Sequence, residues 1–156
     1  MNTVVRIASE DDASALADLR WDFRAEGGEL ASVSRDEFRK AYAVFFCEGI
    51  HRGERAHFVA EVDGALVGQL VVQRVPMVPR PKRLTDEWGY VTDNYVRPEF
   101  RGRGIGTALV DAATAWSRQA DLELLIVWPS DEAVEHYRRA GFRSENSIME
   151  LTLRDY

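Results

Sequence analysis

The sequence predicts a mixed α/β (α+β) fold in which helices pack against one central sheet. Segments with the composition of strands are interleaved with segments whose apolar residues recur at helical spacing. In the middle of the chain a strand, a glycine-rich loop, a helix and a further strand follow one another. The 156 residues, 46% of them hydrophobic, fit one compact domain spanning residues 1–156.

The first third of the chain predicts one strand and two helices. Residues 4–7 are typical of a short strand, and apolar residues at helical spacing indicate a helix over residues 11–26. Ser34 and Glu37 stand at the spacing of a capping box, in which each side chain bonds the other residue's backbone N–H. We therefore expect a second helix to begin there.

The middle of the chain predicts a hairpin, a long loop and another strand. The strands of the hairpin cover residues 57–62 and 66–74 and are joined at an Asp-Gly pair, which favours a two-residue turn. Three prolines between positions 76 and 81 remove backbone donors and predict a loop. Residues 90–96 follow as a strand.

The last third predicts two helices and three strands. A helix over residues 105–119 carries an apolar face, and residues 122–127 form an apolar run typical of a strand buried on both faces. A short helix over residues 133–140 ends at a glycine. Residues 142–145 and 148–153 fit two final strands.

Charge and residue spacing disfavour several classes of protein. With 20 basic and 26 acidic residues the net charge is −6, which disfavours nucleic-acid binding. The longest apolar run, residues 42–47, is far shorter than the roughly 20 residues that span a membrane. The acidic N-terminal stretch is unlike a secretory signal, so we expect a cytoplasmic protein. The histidines at positions 51, 57 and 136 lack the spacing of metal ligands, and no metal is expected.

The most informative feature is a loop with glycines at alternate positions, Gly102, Gly104 and Gly106. Glycine lets the backbone adopt a positive φ and approach a ligand closely. The N–H groups of such a loop can converge on an anion, and the positive end of the following helix dipole adds to the attraction. Arg101 and Arg103 add positive charge. The loop therefore predicts a site for a di- or polyphosphate.

Two familiar nucleotide motifs do not match this loop. A Walker loop needs a lysine after its last glycine, and the residue after Gly106 is Thr107. A dinucleotide-binding fingerprint needs a third glycine where Thr107 stands.

The loop instead resembles the Arg/Gln-x-x-Gly-x-Gly/Ala signature of the GNAT superfamily of N-acetyltransferases. A second likeness is the pattern Ala133-x-x-x-Tyr137-x-x-x-Gly141-Phe142, which resembles the short helix before that family's penultimate strand. The resemblance covers about residues 57–153. It implies a three-layer fold with a mostly antiparallel sheet of six to seven strands, about four helices, and a cofactor wedge between two central parallel strands.

The resemblance implies acetyl-CoA as co-substrate, bound where the strand 90–96 separates from the strand 122–127. Its diphosphate would bind the loop, while the backbone of Tyr95 and Val96 would pair with the pantetheine arm. The Val96 N–H would polarise the thioester carbonyl. Many members carry an asparagine after the second of these strands, and Ser130 would replace it here. The cofactor-binding residues implied are Tyr95, Val96, Arg101, Gly102, Arg103, Gly104, Ile105, Gly106, Thr107 and Ser130.

The resemblance also implies two catalytic groups and a direct transfer of the acetyl group to an amine. Tyr137 resembles the family's general acid, which gives a proton to the departing sulfur. A base must take a proton from the amine, and Asp93 is the first candidate because it lies on the strand next to the expected thioester. Whether its side chain faces the acceptor depends on a bulge in that strand. Glu87, Glu26 and Glu29 are the alternatives.

The acidic N-terminal helix is a clue to the acceptor. Residues 9–29 contain seven acidic and two basic residues, in a region that helps to form the acceptor side in the family. A concentrated negative field would attract cations, which predicts a primary amine such as an aminoglycoside-like antibiotic, a polyamine, a protein lysine or an N-terminus. The other interpretation is that these acids only solvate the helix.

Two further alternatives stay open. The chain could be a non-catalytic acyl-CoA-binding sensor, although a sensor needs no proton donor at the position of Tyr137. Since members of the family often pair, a homodimer through the last strands is one candidate assembly.

Overall fold

A five-stranded sheet organises the part of the chain that the computed structural model describes, residues 2–145 and 148–154. Its order follows the chain. Each of the first four strands is antiparallel to its neighbours among them, whereas the fifth is parallel to the fourth. The strands are β1 (Thr3–Ile7), β2 (Arg55–Val62), β3 (Ala65–Pro76), β4 (Glu87–Val96) and β5 (Leu125–Val127).

The four α-helices of the described residues cover both faces of this sheet. They are α1 (Ala13–Glu26), α2 (Arg35–Arg52), α3 (Ile105–Gln119) and α4 (Val134–Arg139). The predicted capping box starts α2: the Glu37 N–H donates to Ser34 Oγ at 3.2 Å, and the Ser34 N–H donates to Glu37 Oε2 at 2.8 Å. None of the helices in the described ranges has the length and apolar character needed to cross a membrane.

The alternation of side chains along β2 creates two separate cores. Phe58 points to the side of α3 and packs in a cluster with Leu70 and Leu109. The next residue, Val59, points the other way and packs with Leu16 of α1 and Phe46 of α2. The sheet is therefore covered by α3 on one face and by α1 and α2 on the other.

A bulge in β4 changes which face its residues point to. Gln69 pairs with Tyr95 and Val71 pairs with Thr92, so one residue of β3 lies opposite both Asp93 and Asn94. Asp93 takes a left-handed backbone conformation, with φ 57°. The sequence analysis left this bulge unplaced, and it determines where every later side chain of β4 points.

The final two strands that the sequence predicts are absent from the described residues. Residues 142–145 and 148–153 form no strand, and residues 146 and 147 between them lie outside the described part. A strand needs a neighbour to pair its backbone groups, and within the described ranges these segments have no strand partner. Four apolar side chains are exposed there as a result: Ile148, Met149, Leu151 and Leu153. The sequence predicts six to seven strands, and the described residues form five.

The strand predicted over residues 122–127 is also shorter and less buried than expected. It covers Leu125–Val127, and its three residues are half-buried. The parallel pairing with β4 is confirmed, but β5 is an edge of the described sheet, not a central strand.

A Gly89→Ala substitution tests the close packing of β4 against β5. A Cβ on Gly89 would lie 2.4 Å from Leu125 Cδ2 and 3.0 Å from Val72 Cγ1. We expect this overpacking to lower the free energy of unfolding by about 1–3 kcal/mol, measured by urea denaturation. The control is Gly27→Ala, where the nearest atom would lie at 3.5 Å and the change should stay within about 0.5 kcal/mol. Equal effects of the two substitutions would contradict the packing described here.

Candidate active site

An opening lies where β4 continues beyond its short partner. The two strands pair at Gly89 with Leu125, at Tyr90 with Ile126 and at Val91 with Val127, where β5 ends. The last three residues of β4, Asn94, Tyr95 and Val96, border a cavity of about 560 Å³. Its walls come from the end of β4, the glycine loop, the first turn of α3, the segment around α4 and the end of α1.

The N–H of Val96 points into this opening. The N–H of the next residue, Arg97, donates to Val67 O of β3 at 2.9 Å. Successive N–H groups of a strand point to opposite edges, so the Val96 N–H points away from β3. The Val96 carbonyl shows the same direction, because it accepts a hydrogen bond from Arg101 Nε at 2.8 Å on that side.

The glycine loop has a backbone that other residues adopt only with strain. Gly102 and Gly104 have φ values of 73° and 79°, and no atom lies within 4 Å of the place where a Cβ would stand on either. Gly104 is the N-cap of α3, whose first N–H groups have no acceptor within the helix. Both glycines line the cavity, together with Ile105, Gly106 and Thr107. The loop therefore presents backbone donors at the positive end of a helix dipole.

The side chain of Arg101 turns toward α1. Its Nη2 donates to Glu26 Oε2 at 2.9 Å, and its guanidinium lies 5.5 Å from the centre of the Tyr95 ring. The Tyr95 hydroxyl donates to the same Glu26 oxygen at 3.1 Å. The guanidinium of Arg103 lies 5.5 Å from the centre of the Phe100 ring. Glu26 thus borders the cavity and is bound by Arg101, an interaction that the sequence analysis did not anticipate.

Tyr137 is buried at the inner wall of the cavity, where Asn94 Nδ2 donates to its hydroxyl oxygen at 3.1 Å. Its ring packs edge-on against Phe142, with ring centres 5.3 Å apart. Burial raises the pKa of the Tyr137 hydroxyl, and the hydrogen bond from Asn94 only partly opposes this. The hydroxyl therefore stays protonated at neutral pH and can donate a proton. Ser130 lies on the same wall.

Asp93 lies on the opposite side of β4 from this tyrosine, and its carboxylate faces α1. Arg20 Nη1 donates to Asp93 Oδ1 at 2.9 Å, and Gln69 Nε2 donates to Asp93 Oδ2 at 2.8 Å. Burial raises the pKa of the Asp93 carboxyl, while the charges of Arg20 and Arg24 lower it. The bulge thus directs Asp93 to the α1 side and Asn94 to the α4 side.

The other candidate bases differ in their distance from the opening. Glu87 is held by Arg74 through bonds of 2.8 and 2.6 Å and lies at the far end of the ten-residue β4, about 30 Å from Val96. Glu29 forms an ion pair with Arg24. Of the alternatives to Asp93, Glu26 is the one that borders the cavity in the described residues.

Asn94 and Gln69 were missed by the sequence analysis. A signal was present for both, because each is a polar residue inside a strand. Gln69 is fully buried, and its neighbours along β3, Gly68 and Leu70, are buried too. The sequence does not reveal which residues they contact. The bulge brings Gln69 to Asp93 and Asn94 to Tyr137.

Most of the acids behind the negative field expected from residues 9–29 are paired. Across the described residues, five of the seven acids contact an arginine, which offsets their charge, and a sixth contacts a histidine. The pairs are Glu10 with His51, Asp12 with Arg6, Asp18 with Arg39, Asp22 with Arg97, Glu26 with Arg101 and Glu29 with Arg24.

Two curated relatives are similar to this chain in sequence. An uncharacterized N-acetyltransferase of Methanocaldococcus jannaschii is 33% identical over 100 residues, 62% of this chain and 43% of that protein. The chain therefore spans less than half the length of that relative. A glucosamine 6-phosphate N-acetyltransferase of Trypanosoma brucei brucei is 29% identical over 155 residues, 96% of this chain and 95% of that protein.

A solved structure shares the fold. A crystal structure from Clostridium acetobutylicum, described as a predicted acetyltransferase with acetyl-CoA, matches with a TM-score of 0.82 and 20% identity over 97% of each chain. The model of the acetyltransferase (GNAT) family matches residues 14–142, which include the glycine loop, Asp93 and Tyr137. Because this match spans most of the sequence, the chain belongs to the acetyltransferase (GNAT) family, whose members are acetyl-CoA-dependent acyltransferases.

Proposed function

We propose that this protein is an N-acetyltransferase in which a primary amine attacks the thioester of acetyl-CoA directly. The observation that carries the proposal is the buried Tyr137 on the wall of a cavity that the glycine loop also lines. A proton donor and an anion site in one cavity are the two groups that this transfer needs. The family match supports the same reaction.

The loop residues would bind the diphosphate of the co-substrate. Gly102 and Gly104 leave open space where side chains would otherwise stand, and the first turn of α3 supplies N–H donors. The cavity volume of about 560 Å³ is within the range of ligand pockets. These features fit the proposed ligand. Arg101 would have to leave Glu26 to reach a phosphate, whereas the backbone donors need no such change.

The free edge of β4 would align the reacting group. Beyond Val91, β4 has no β5 residue beside it, so an extended chain can add to this edge as a strand does. The N–H of Val96 then donates a hydrogen bond to the carbonyl oxygen on which negative charge develops. Acetyl-CoA supplies the acetyl group in the activated form of a thioester.

Two side chains would move protons in this reaction. Tyr137 donates its hydroxyl proton to the departing sulfur, and Asn94 holds the hydroxyl oxygen in place. Asp93 lies three positions before Val96 on the same strand, behind the cavity wall, and would accept the proton that the amine releases through a bridging water molecule.

The acceptor is proposed at the level of a primary amine. Because the acids of α1 are paired with arginines, net negative charge does not favour polycations over other amines. The Trypanosoma brucei brucei relative, which matches nearly the whole chain, adds a phosphorylated amino sugar to the antibiotics, polyamines and protein amines that form the first panel to assay.

Tyr137→Phe separates catalysis from binding. The variant keeps the ring packed on Phe142 but loses the proton donor, so we expect acetyl-CoA to bind normally while turnover falls by about 10²–10⁴-fold. Calorimetry measures binding, and release of free CoA thiol with the amine panel measures turnover. Turnover equal to that of the wild type would refute the acid role. Normal binding with no CoA release from any amine, in the wild type, would favour the acyl-CoA sensor.

Gly104→Ala tests the anion site. The new methyl group would enter the open space of the loop where the diphosphate is proposed to lie. Displacing the diphosphate from one backbone donor should weaken acetyl-CoA binding by about 10- to 100-fold. Gly53→Ala is the matched control, because Gly53 at the end of α2 has a φ of 65° and equally open surroundings. Both substitutions should cost roughly 1–2 kcal/mol of stability from backbone strain. Calorimetry showing equal affinities for the two variants would remove this site.

A further inference from the structure

A buried polar cluster lies on the α1 side of β4, outside the cavity walls described above. Its centre is the Asp93 carboxylate, and each of its oxygens has its own donor, Arg20 on one side and Gln69 on the other. The three residues come from β4, α1 and β3, so the cluster forms only in the folded chain. The donor–acceptor distances are 2.9 Å and 2.8 Å.

The cluster is too polar for a purely structural contact. The side chain of Asp93 is 6% exposed and that of Arg20 is 32% exposed. The carboxylate is therefore shielded from solvent, whereas the guanidinium is partly exposed to it. Burying a charge is unfavourable, and an apolar residue of similar volume often serves stability equally well. Asp93 also holds a left-handed backbone conformation, which is strained for a residue with a side chain. These features together are typical of a functional site.

The amide nitrogen of Gln69 donates to the Asp93 carboxylate, while its amide oxygen forms no hydrogen bond within the described residues. Gln69 is fully buried, and its Oε1 has no hydrogen-bond partner among the described residues. Leaving a buried acceptor unpaired is unfavourable, whereas leucine would fill the same volume without that penalty. The useful part of this side chain is therefore the Nε2 donor that holds Asp93 Oδ2.

We propose that Arg20 and Gln69 are positioning residues that keep the Asp93 carboxylate charged and oriented for proton transfer from the acceptor amine. The inference rests on the proposed function and deepens it. As the bond from the amine nitrogen to the acetyl carbon forms, the amine proton passes to an Asp93 oxygen. The carbon–sulfur bond breaks, and the sulfur takes the hydroxyl proton of Tyr137. Exchange with solvent then returns Tyr137 and Asp93 to their starting states.

The groups around Asp93 explain why Arg20 matters most. On α1, both Arg20 and Arg24 lower the pKa of the Asp93 carboxyl, and Arg20 is in direct contact with it. On α2, burial raises the pKa of Tyr42, so this tyrosine is neutral. On β2, burial lowers the pKa of His57 to about 4, so this histidine is neutral above pH 5. Loss of the Arg20 charge therefore leaves burial to raise the pKa of Asp93 further.

Arg20→Gln and Gln69→Leu test the proposal through the pH dependence of kcat/KM. A carboxylate with a higher pKa takes up its proton at a higher pH, so the acidic fall in kcat/KM should move upward. We expect a shift of about one pH unit or more for Arg20→Gln and a smaller shift in the same direction for Gln69→Leu. Arg20→Lys, which keeps the charge, should restore most of the wild-type profile.

Arg39→Gln is the matched control. Arg39 is similarly exposed, at 36%, and binds the α1 carboxylate of Asp18 at 2.9 and 3.1 Å, but it does not contact Asp93. This variant should lose an ion pair of the same kind and keep the wild-type pH profile. A profile that moves equally in Arg39→Gln would overturn the proposal, because the effect would then be general.

A second measurement separates this proposal from the proposed function. Carboxyl ¹³C NMR, with Asp93→Asn for assignment, follows the titration of Asp93 without any turnover. Matching upward shifts in the NMR titration and in the kcat/KM profile support the proposal. An NMR shift with an unmoved profile overturns it, because Asp93 is then not the base, while the acetyltransferase assignment survives. A wild-type protein that acetylates no amine overturns both.

Discussion

The active site depends on one extra residue in β4. At the bulge, Asp93 and Asn94 both lie opposite one residue of β3. The side chains of β4 after this point therefore face the opposite side from the one that regular alternation would give. Asn94 then reaches Tyr137, whereas Asp93 reaches Arg20. In a regular strand, alternate residues point to the same face. Without the bulge, Asp93 would therefore point to the α3 side, as Val91 does. The proposed acid and base thus owe their positions on either side of β4 to a local backbone irregularity.

The second constraint is the difference in length between β4 and β5. Three paired positions join the two strands, and β4 then continues alone to Val96. Unpaired N–H and C=O groups at a strand edge bind whatever extended chain lies beside them. The same edge leads directly into the glycine loop and the first turn of α3. In the proposed complex, the donor at the thioester and the donors at the diphosphate would therefore come from one continuous piece of backbone.

Arginines shape the surroundings of the site more than the net charge does. The chain carries −6 overall, yet the acids of α1 contact arginines from α2 and from the residues that follow β4. These contacts join α1 to α2 and to the residues that follow β4. They also offset the negative charge that the composition of α1 alone suggests. Charge counted along a sequence overestimates the local potential wherever the fold places opposite charges in contact. This part of the surface is consequently mixed in charge, with Glu26 and Arg101 in contact at the edge of the cavity.

By itself, the sequence determined the local features: the four helices, the hairpin, the glycine loop and the position of Tyr137, because each depends on a pattern within a few residues. It also contained enough of a motif to indicate the family. Only the tertiary structure decided the number of strands, the edge position of β5, the bulge and the partners of Asp93. These depend on contacts between residues far apart in the chain, such as Arg20 with Asp93, and on whether a strand-like segment finds a neighbour to pair its backbone. No local pattern encodes a long-range contact or a strand pairing, since each depends on two segments that are far apart in the chain.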